Sequence, residues 1–312
     1  MNILVLLSTY NGDRYLKEQL DSLLAQRGVV LTILIRDDGS TDSTPTIIDH
    51  YCQLHSNIEA IKGENIGCAR SFFSLMSHAS KRPTRFDYYA FCDQDDLWLD
   101  DKLLSAAKIL DLYRDNPHRL YYSVATFVDA NLQTLHISKI DPTKVNFATS
   151  LTRNPALGCT MLFSFRLLCA ASQIEQYIDS DRFNPTLLPL HDSWLIKVAF
   201  ATNSYIECDQ TPHILYRQHD NNVTGSKSIF ERYSNALKRR IAKRGQFSHT
   251  ATLLYSLYAT QLTKENHTTL NKLLNYKNSL LNTLIFSLRL NLQGELLLDR
   301  LIWRLYILNR LY

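Results

Sequence analysis

Apolar and polar positions along the first hundred residues switch between two periods. Residues 3–8 form a continuous apolar run, the pattern of a strand covered on both faces. A turn at Asn11-Gly12 separates it from Leu16, Leu20, Leu23 and Leu24, which repeat at helical spacing through Gln26. Residues 31–35 read as a second buried strand that stops at RDDGSTD, and residues 44–54 as a helix with Pro45 in its first turn. A short strand at 58–61, a helix at 70–80 and an aromatic strand at 88–92 complete the series. Strand, helix, strand in this order predicts an α/β fold with a mostly parallel, doubly wound sheet flanked by helices. Such sheets bind ligands at the carboxyl ends of their strands. Residues 8–11, 37–40 and 93–96 all fall there.

Beyond residue 120 the pattern is less regular. Residues 120–128 and 158–165 read as strands and 192–201 as a helix. After residue 225 the strand signals stop, and residues 231–244, 250–262, 268–290 and 295–311 all read as helices.

One strand end carries more acid than a turn needs. Residues 87–99 read DYYAFCDQDDLWL, so a buried aromatic strand runs into Asp93, Asp95 and Asp96. These carboxylates repel one another, and burying them unpaired is costly. An Asp-x-Asp arrangement suits a hard divalent cation, Mn²⁺ or Mg²⁺, which shares its oxygen ligands between one or two carboxylates and a substrate diphosphate. The alternative is a helix N-terminus, where Asp is favoured as a cap, but a cap uses one acid. RDDGSTD reads either as a glycine turn capped before a helix or as a place where an Asp accepts the imide N–H of a pyrimidine base. In HDSW, Asp192 beside His191 is a candidate general base, with Trp194 as an apolar wall. The same residues could simply cap the helix that follows.

Taken in order, STYNG, RDDGSTD, NIGCAR, DQDD and HDSW resemble the motifs of family 2 glycosyltransferases of the GT-A fold. FCDQDDLW together with YRQHDNNVTG is similar to the bacterial rhamnosyltransferase branch, which builds cell-wall and O-antigen polysaccharides. The resemblance implies a Rossmann-like GT-A catalytic domain over residues 1–225, with nucleotide-sugar binding in about 1–130 and the acceptor side in about 131–225. A basic helical extension at 226–312 follows. It implies an inverting, Mn²⁺- or Mg²⁺-dependent transfer with no covalent intermediate. The donor would be a nucleotide-diphosphate sugar, dTDP-L-rhamnose in the branch named or else a UDP-sugar, and the acceptor a lipid-linked saccharide or polysaccharide.

Position by position, Ser8, Tyr10 and Asp38 resemble the base and nucleoside pocket, with Tyr10 as a stacking face. Arg70 resembles an arginine placed near the nucleotide. Asp93 resembles the first acid of the DxD motif, near the ribose and the metal, and Asp95 the acid that holds the metal. Asp96 resembles an acid behind the metal or a sugar contact. Asp192 matches the base that deprotonates the acceptor hydroxyl. Many relatives place Glu before that base, where this chain has His191, so a histidine base stays open. His219 is a metal or phosphate contact, or a plain structural histidine.

Charge divides the chain. Residues 225–312 carry 14 Lys/Arg against 4 Asp/Glu, whereas residues 1–224 carry 20 against 26. The segment LKRRIAKR, and a last helix with Asp299, Arg300, Arg304 and Arg310 on one side, suit the headgroup region of an anionic membrane. A helical bundle packed on the catalytic domain or on a second subunit explains the same pattern. No nucleic-acid-binding motif accompanies the charge, so no nucleic-acid partner is expected. The six cysteines form no CxxC pair and no zinc spacing, and read as reduced thiols of a cytosolic protein. No basic leader precedes the first strand, and no run reaches the ~18 apolar residues of a membrane span. The expected location is the cytoplasm, peripheral at the inner face of the cell membrane.

Other classes fit less well. A phosphatase of the haloacid dehalogenase class wants its nucleophilic Asp after the first strand, which here ends in STYNG. A dinucleotide oxidoreductase wants GxGxxG there. A non-catalytic sugar-nucleotide or polysaccharide-binding subunit would not need the full set of acids.

Overall fold

Ile3, Leu4, Val5, Leu6 and Leu7 are all fully buried, because β1 (Asn2–Thr9) lies in the middle of a sheet with helices on both faces. The computed structural model describes residues 1–218, 245–280, 283–284, 304 and 307–308. After β1 come α1 (Leu16–Leu24), β2 (Val30–Asp37), α2 (Thr44–Leu54), β3 (Ile58–Lys62), α3 (Cys68–Ser80) and β4 (Tyr88–Cys92). The middle of the chain holds β5 (Leu97–Trp98), α4 (Lys102–Asp111), β6 (Arg119–Ser123), β7 (Thr126–Val128), β8 (Thr134–Ile137), α5 (Phe147–Ser150) and β9 (Leu162–Ser164). Then follow α6 (Phe165–Ser172), α7 (Glu175–Ile178), α8 (His191–Ala201), β10 (Tyr205–Asp209) and β11 (Ile214–Arg217). Two C-terminal helices are α9 (Gln246–Tyr258) and α10 (Lys264–Asn275).

The main sheet has seven strands in the order β10-β6-β9-β4-β1-β2-β3. β1 pairs parallel with both β2 and β4, β2 with β3, and β10 with β6, while β9 runs antiparallel between β4 and β6. Side chains of a strand alternate between faces. Leu4 and Leu6 therefore join one core with α3, α6 and α8, and Ile3, Val5 and Leu7 join another with α1, α2 and α4. Register does the rest. Thr9 lies opposite Asp37 and Leu7 opposite Cys92, so the segments that follow β1, β2 and β4 leave the sheet side by side.

Two of the expected strands are shorter than their apolar runs. Residues 120–128 split into β6 and β7, which belong to different sheets. The chain leaves the main sheet after Ser123, and β7 enters a second, four-stranded sheet of order β5-β11-β7-β8. Residues 158–165 begin as a tight 3₁₀ turn, Gly158–Thr160, with β9 starting only at Leu162. Apolar periodicity reports burial, and both segments are largely buried, with Thr126, Phe127 and Phe165 only partly so. It does not say which neighbour a strand pairs with.

The described C-terminal helices pack onto the α/β unit. Ala251, Leu254, Tyr258, Leu270, Leu273 and Tyr276 share one core with Trp194, Leu195 and Val198 of α8. The Tyr258 hydroxyl donates to the Ala170 carbonyl at 2.6 Å. For α9 and α10, packing on the catalytic unit is thus the observed arrangement. His219, the LKRRIAKR segment, Asp299, Arg300 and Arg310 lie outside the described residues. No helix among the described residues is long and apolar enough to cross a membrane.

A shared core predicts shared unfolding. Leu254→Ala removes a fully buried side chain and is expected to cost about 2–5 kcal/mol, measured as a lower midpoint of one urea transition followed by near-UV signals of the whole chain. Loss confined to a separate early transition would mean that the C-terminal helices fold as a unit of their own.

Candidate active site

The nucleoside-side residues form a polar network below the ends of β1 and β2. Ser8 Oγ lies 2.6 Å from Ser71 Oγ on α3, and Arg36 Nη1 donates to that same Ser71 hydroxyl at 3.2 Å. Arg36 also forms a buried ion pair with Asp38. The two oxygens of Asp38 accept the backbone N–H groups of Ile66 at 3.0 Å and Gly67 at 2.8 Å. Gly67 has φ 85°, a left-handed conformation that glycine adopts without strain, and it opens α3. Asp38 is only 2% exposed. Its carboxylate pins the loop that starts α3. Tyr10, by contrast, is 45% exposed at the mouth of the sheet. Arg70, in the first turn of α3, sits over the Phe183 ring at 5.0 Å, and its buried Nε has no hydrogen-bond partner.

The acid loop is tied down by Gln94 and Arg217, which lie inside the DQDD and YRQHDNNVTG motifs but were given no role of their own from sequence. Gln94 Oε1 accepts from Thr9 Oγ1 at 2.7 Å and from the Tyr10 N–H at 2.8 Å, while its Nε2 donates to the Tyr10 carbonyl at 3.2 Å. This clamp joins STYNG to DQDD. It also needs Gly12, because a Cβ there would lie 2.4 Å from Gln94 Oε1. Arg217, 2% exposed, donates through Nε to the Asp95 carbonyl at 3.0 Å and through its own backbone N–H to Asp96 Oδ1 at 3.1 Å. Its Nη2 reaches Glu18 Oε2 at 2.5 Å and its Nη1 the Ala130 carbonyl at 2.7 Å. No local spacing could reveal a residue that meets the acids from 121 positions away.

Asp93, Asp96 and Cys159 bring their ligand atoms within 4.8 Å of one another. Asp95 lies outside that group, although it was the acid expected to hold the metal. Asp96 lies inside it, is fully buried, and leaves its Oδ2 without a hydrogen-bond partner. Burial, then the charges of Asp95 and Asp192, push the Asp93 carboxyl up to about 7. Burial, then Asp95 and Asp93, raise Asp96 well above the usual range. The Cys159 thiol, also raised by burial, stays protonated. These groups fit a hard divalent cation. Several carboxyl oxygens converge, one has no partner, and each acid is disfavoured as an anion by its neighbours.

From the other side comes the first turn of α8. Asp192 is 9% exposed, and its Oδ1 accepts the Ser193 N–H at 2.6 Å. It lies close enough to Asp93 to disfavour that residue's ionisation. Gly158 makes room for the approach, since a Cβ there would stand 2.7 Å from His191 Nε2 and 3.2 Å from Asp192 Cβ. His191 is packed as an aromatic ring, stacked on Phe72 at 3.7 Å and edge-on to Phe91 at 4.7 Å. Both its ring nitrogens are buried without partners. Trp194 does not face the cleft as expected. It is fully buried, and its Nε1 donates to the Ala171 carbonyl at 2.9 Å. Two residues on from Asp192, a helix has turned about 200° towards the core.

A strand-end site of this kind can bind a nucleotide diphosphate with a cation and place a carboxylate opposite it. The family model for glycosyl transferase family 2 matches residues 4–168, more than half of the chain. The chain belongs to glycosyl transferase family 2. It is a glycosyltransferase that uses a nucleotide sugar, and its α/β sheet is that of the GT-A fold. Among relatives, it is 28% identical to the dTDP-rhamnosyl transferase RfbG of Shigella flexneri over 228 residues, 72% of this chain and 75% of that one. Residues 1–349 of S. aureus TarS in complex with UDP-GlcNAc superpose with a TM-score of 0.58 at 16% identity, covering 98% of this chain and 79% of that one. The putative glycosyltransferase EpsH of Bacillus subtilis is 24% identical over 238 residues, 75% of this chain and 64% of that one.

His191 carries a pH prediction. Burial lowers its pKa from 6.5 to about 4, a fall that the charge of Asp192 only partly opposes. Between those values the unfolded chain binds a proton that the fold does not. The stability due to the neutral ring is therefore complete above pH 6.5 and is lost as pH falls toward 4, by up to about 3 kcal/mol. His191→Leu is expected to flatten that slope in urea unfolding at pH 7 and pH 4.5. An unchanged slope would mean the ring is protonated in the fold.

Proposed function

We infer that this family 2 enzyme transfers L-rhamnose from dTDP-rhamnose to a hydroxyl of a lipid-linked or polysaccharide acceptor in cell-surface polysaccharide synthesis, with inversion and with Mn²⁺ or Mg²⁺ as cofactor. The observation that carries the reaction type is the meeting of Asp192 on α8 with Asp93 at the end of β4. Donor phosphates and acceptor base must lie within about one sugar ring of each other for a displacement to proceed in line. The likeness to a dTDP-rhamnosyl transferase over most of both chains supports the choice of donor.

In this reading, residues 1–225 form the catalytic domain, with the nucleotide side in about 1–130 and the acceptor side in about 131–225, and within the remaining region 226–312 the described helices α9 and α10 back it. Tyr10 offers its exposed face to the base. Ser8 and Asp38 shape the nucleoside pocket, Asp38 by pinning the Ile66-Gly67 loop. Arg70 turns its unpartnered Nε to the donor, and Asp93 lies near the ribose. Asp93 and Asp96, whose ligand atoms converge, would hold the divalent ion together with Asp95 of the same loop, and the ion would supply Lewis-acid stabilisation of the leaving diphosphate. Asp192 takes the proton of the acceptor hydroxyl as that oxygen attacks the anomeric carbon. The bond from that carbon to the phosphate oxygen breaks through an oxocarbenium-like state, and its electron pair leaves with dTDP. His191 has no part in the proton transfer; it packs behind Asp192. The basic segment LKRRIAKR supports a peripheral position on an anionic membrane.

Thermal stabilisation by dTDP, UDP and GDP, each with and without Mn²⁺, tests the donor side. dTDP with Mn²⁺ is expected to raise the melting temperature most, and Asp95→Ala to abolish the metal-dependent part. A preference for UDP would remove rhamnose from the reading. No shift with any nucleotide at millimolar concentration would overturn the donor site itself. Asp192→Asn is expected to lower transfer by about 10²–10⁴-fold while leaving dTDP stabilisation intact; transfer at the wild-type rate would rule Asp192 out as the base.

A further inference from the structure

Beside the first turn of α8, an open cleft lies between α8 and α9, lined by Asn154, Leu190, Ser193, Lys197, Gln246 and Thr250 among others. Lys197 is only 4% exposed. Its ammonium donates to the Ser193 carbonyl at 3.1 Å and to Ser193 Oγ at 2.5 Å. An ammonium has three protons to donate, and Lys197 forms no ion pair among the described residues. Burying such a charge unpaired is destabilising, and an apolar side chain of the same length would suit a purely structural role better. Burial accordingly lowers the lysine's pKa to about 8, opposed only by the charge of Asp192.

The surroundings match the charge. The amino end of α8 brings positive helix-dipole character to the same wall. The remaining polar lining is neutral. Gln246 Nε2 is held by the Leu188 carbonyl at 2.6 Å and Thr250 Oγ1 by the Gln246 carbonyl at 2.8 Å, while the Asn154 amide is exposed at the rim. The described lining thus holds one buried cation, neutral hydroxyl and amide groups, and no carboxylate.

We propose that this cleft is an acceptor subsite for an oxyanion, a phosphate or carboxylate carried by the acceptor beside the hydroxyl that Asp192 deprotonates. The proposal rests on the reading of Asp192 as the acceptor-side base. It makes α9 a wall of the acceptor site as well as a buttress of the core. Ser193, next in sequence to Asp192, links the anion contact to the base.

The test uses the full chain with dTDP and Mn²⁺ added to saturation, so that the donor diphosphate site is filled before any anion is offered. The nucleotide-dependent melting shift is read first, which separates a failure of the donor reading from a failure of the subsite. Inorganic phosphate and, separately, methyl glucuronide are then titrated at constant ionic strength against sodium chloride. Wild type and Lys197→Arg are expected to be stabilised beyond the chloride control, with affinity reduced about tenfold or more in Lys197→Met. Asn154→Asp, at an exposed position that does not disturb the core, is expected to weaken binding severalfold by repulsion. A response to phosphate alone assigns a phosphate-bearing acceptor, and a response to the glucuronide alone an acidic sugar. Neither anion exceeding chloride in the wild type, or equal affinity in Lys197→Met, would overturn the subsite.

Discussion

Mutual repulsion among carboxylates is the constraint around which the rest of the molecule is arranged. Burial first, and then the charges of neighbouring acids, disfavour ionisation of Asp93 and Asp96: Asp95 and Asp192 act on Asp93, and Asp95 and Asp93 act on Asp96. The fold holds them with contacts that bring little opposing charge to the site. The Gln94 amide clamps the end of β1, the Cys159 thiol stays protonated beside two acids, and Arg217 uses its amide and Nε on the loop while its Nη2 turns to Glu18. A scaffold that holds buried acids together without pairing them raises their proton affinity, so a ligand cation would bind by displacing protons from Asp93 and Asp96.

α8 shows how one helix can serve several masters. Successive residues of its first turns point in different directions, about 100° apart. Asp192 faces the acids, His191 stacks between Phe72 and Phe91, Trp194 enters the core beneath Tyr258, and Lys197 lines the cleft against α9. The C-terminal helices are thus coupled to Asp192 by packing. Tyr258 and Leu254 share a core with the helix that carries it.

Much of this was legible along the chain because parallel α/β units write strong local signals. The unbroken apolar run of β1 and the leucine spacing of α1 reflect burial on two faces and on one face. Parallel pairing then forces the segments after β1, β2 and β4 to emerge at one edge, whatever their side chains. The acids of DQDD stood out by being more numerous than a helix cap needs, whereas Asp192 of HDSW read equally well as a base or as the cap of the helix that follows. Less was legible where the same residue type admits two fates. RDDGSTD read either as a capped turn or as a base contact, and Asp38 closes a loop through Arg36, Ile66 and Gly67, while Trp194 was expected as an apolar wall of the site and is core.

The sequence by itself determined the parallel β1–β4 part of the sheet, the strand ends where ligand-bearing residues gather, and the family's set of acids, because each depends on contacts within a short stretch of chain or on the geometry of parallel pairing. Only the tertiary structure decided which acids share a centre, that Gly158 must be small to let His191 and Asp192 approach, that Arg217 anchors the loop from far along the chain, and that a buried lysine faces a cleft. Those outcomes turn on distances between residues that are remote in sequence, and no local period or spacing encodes them.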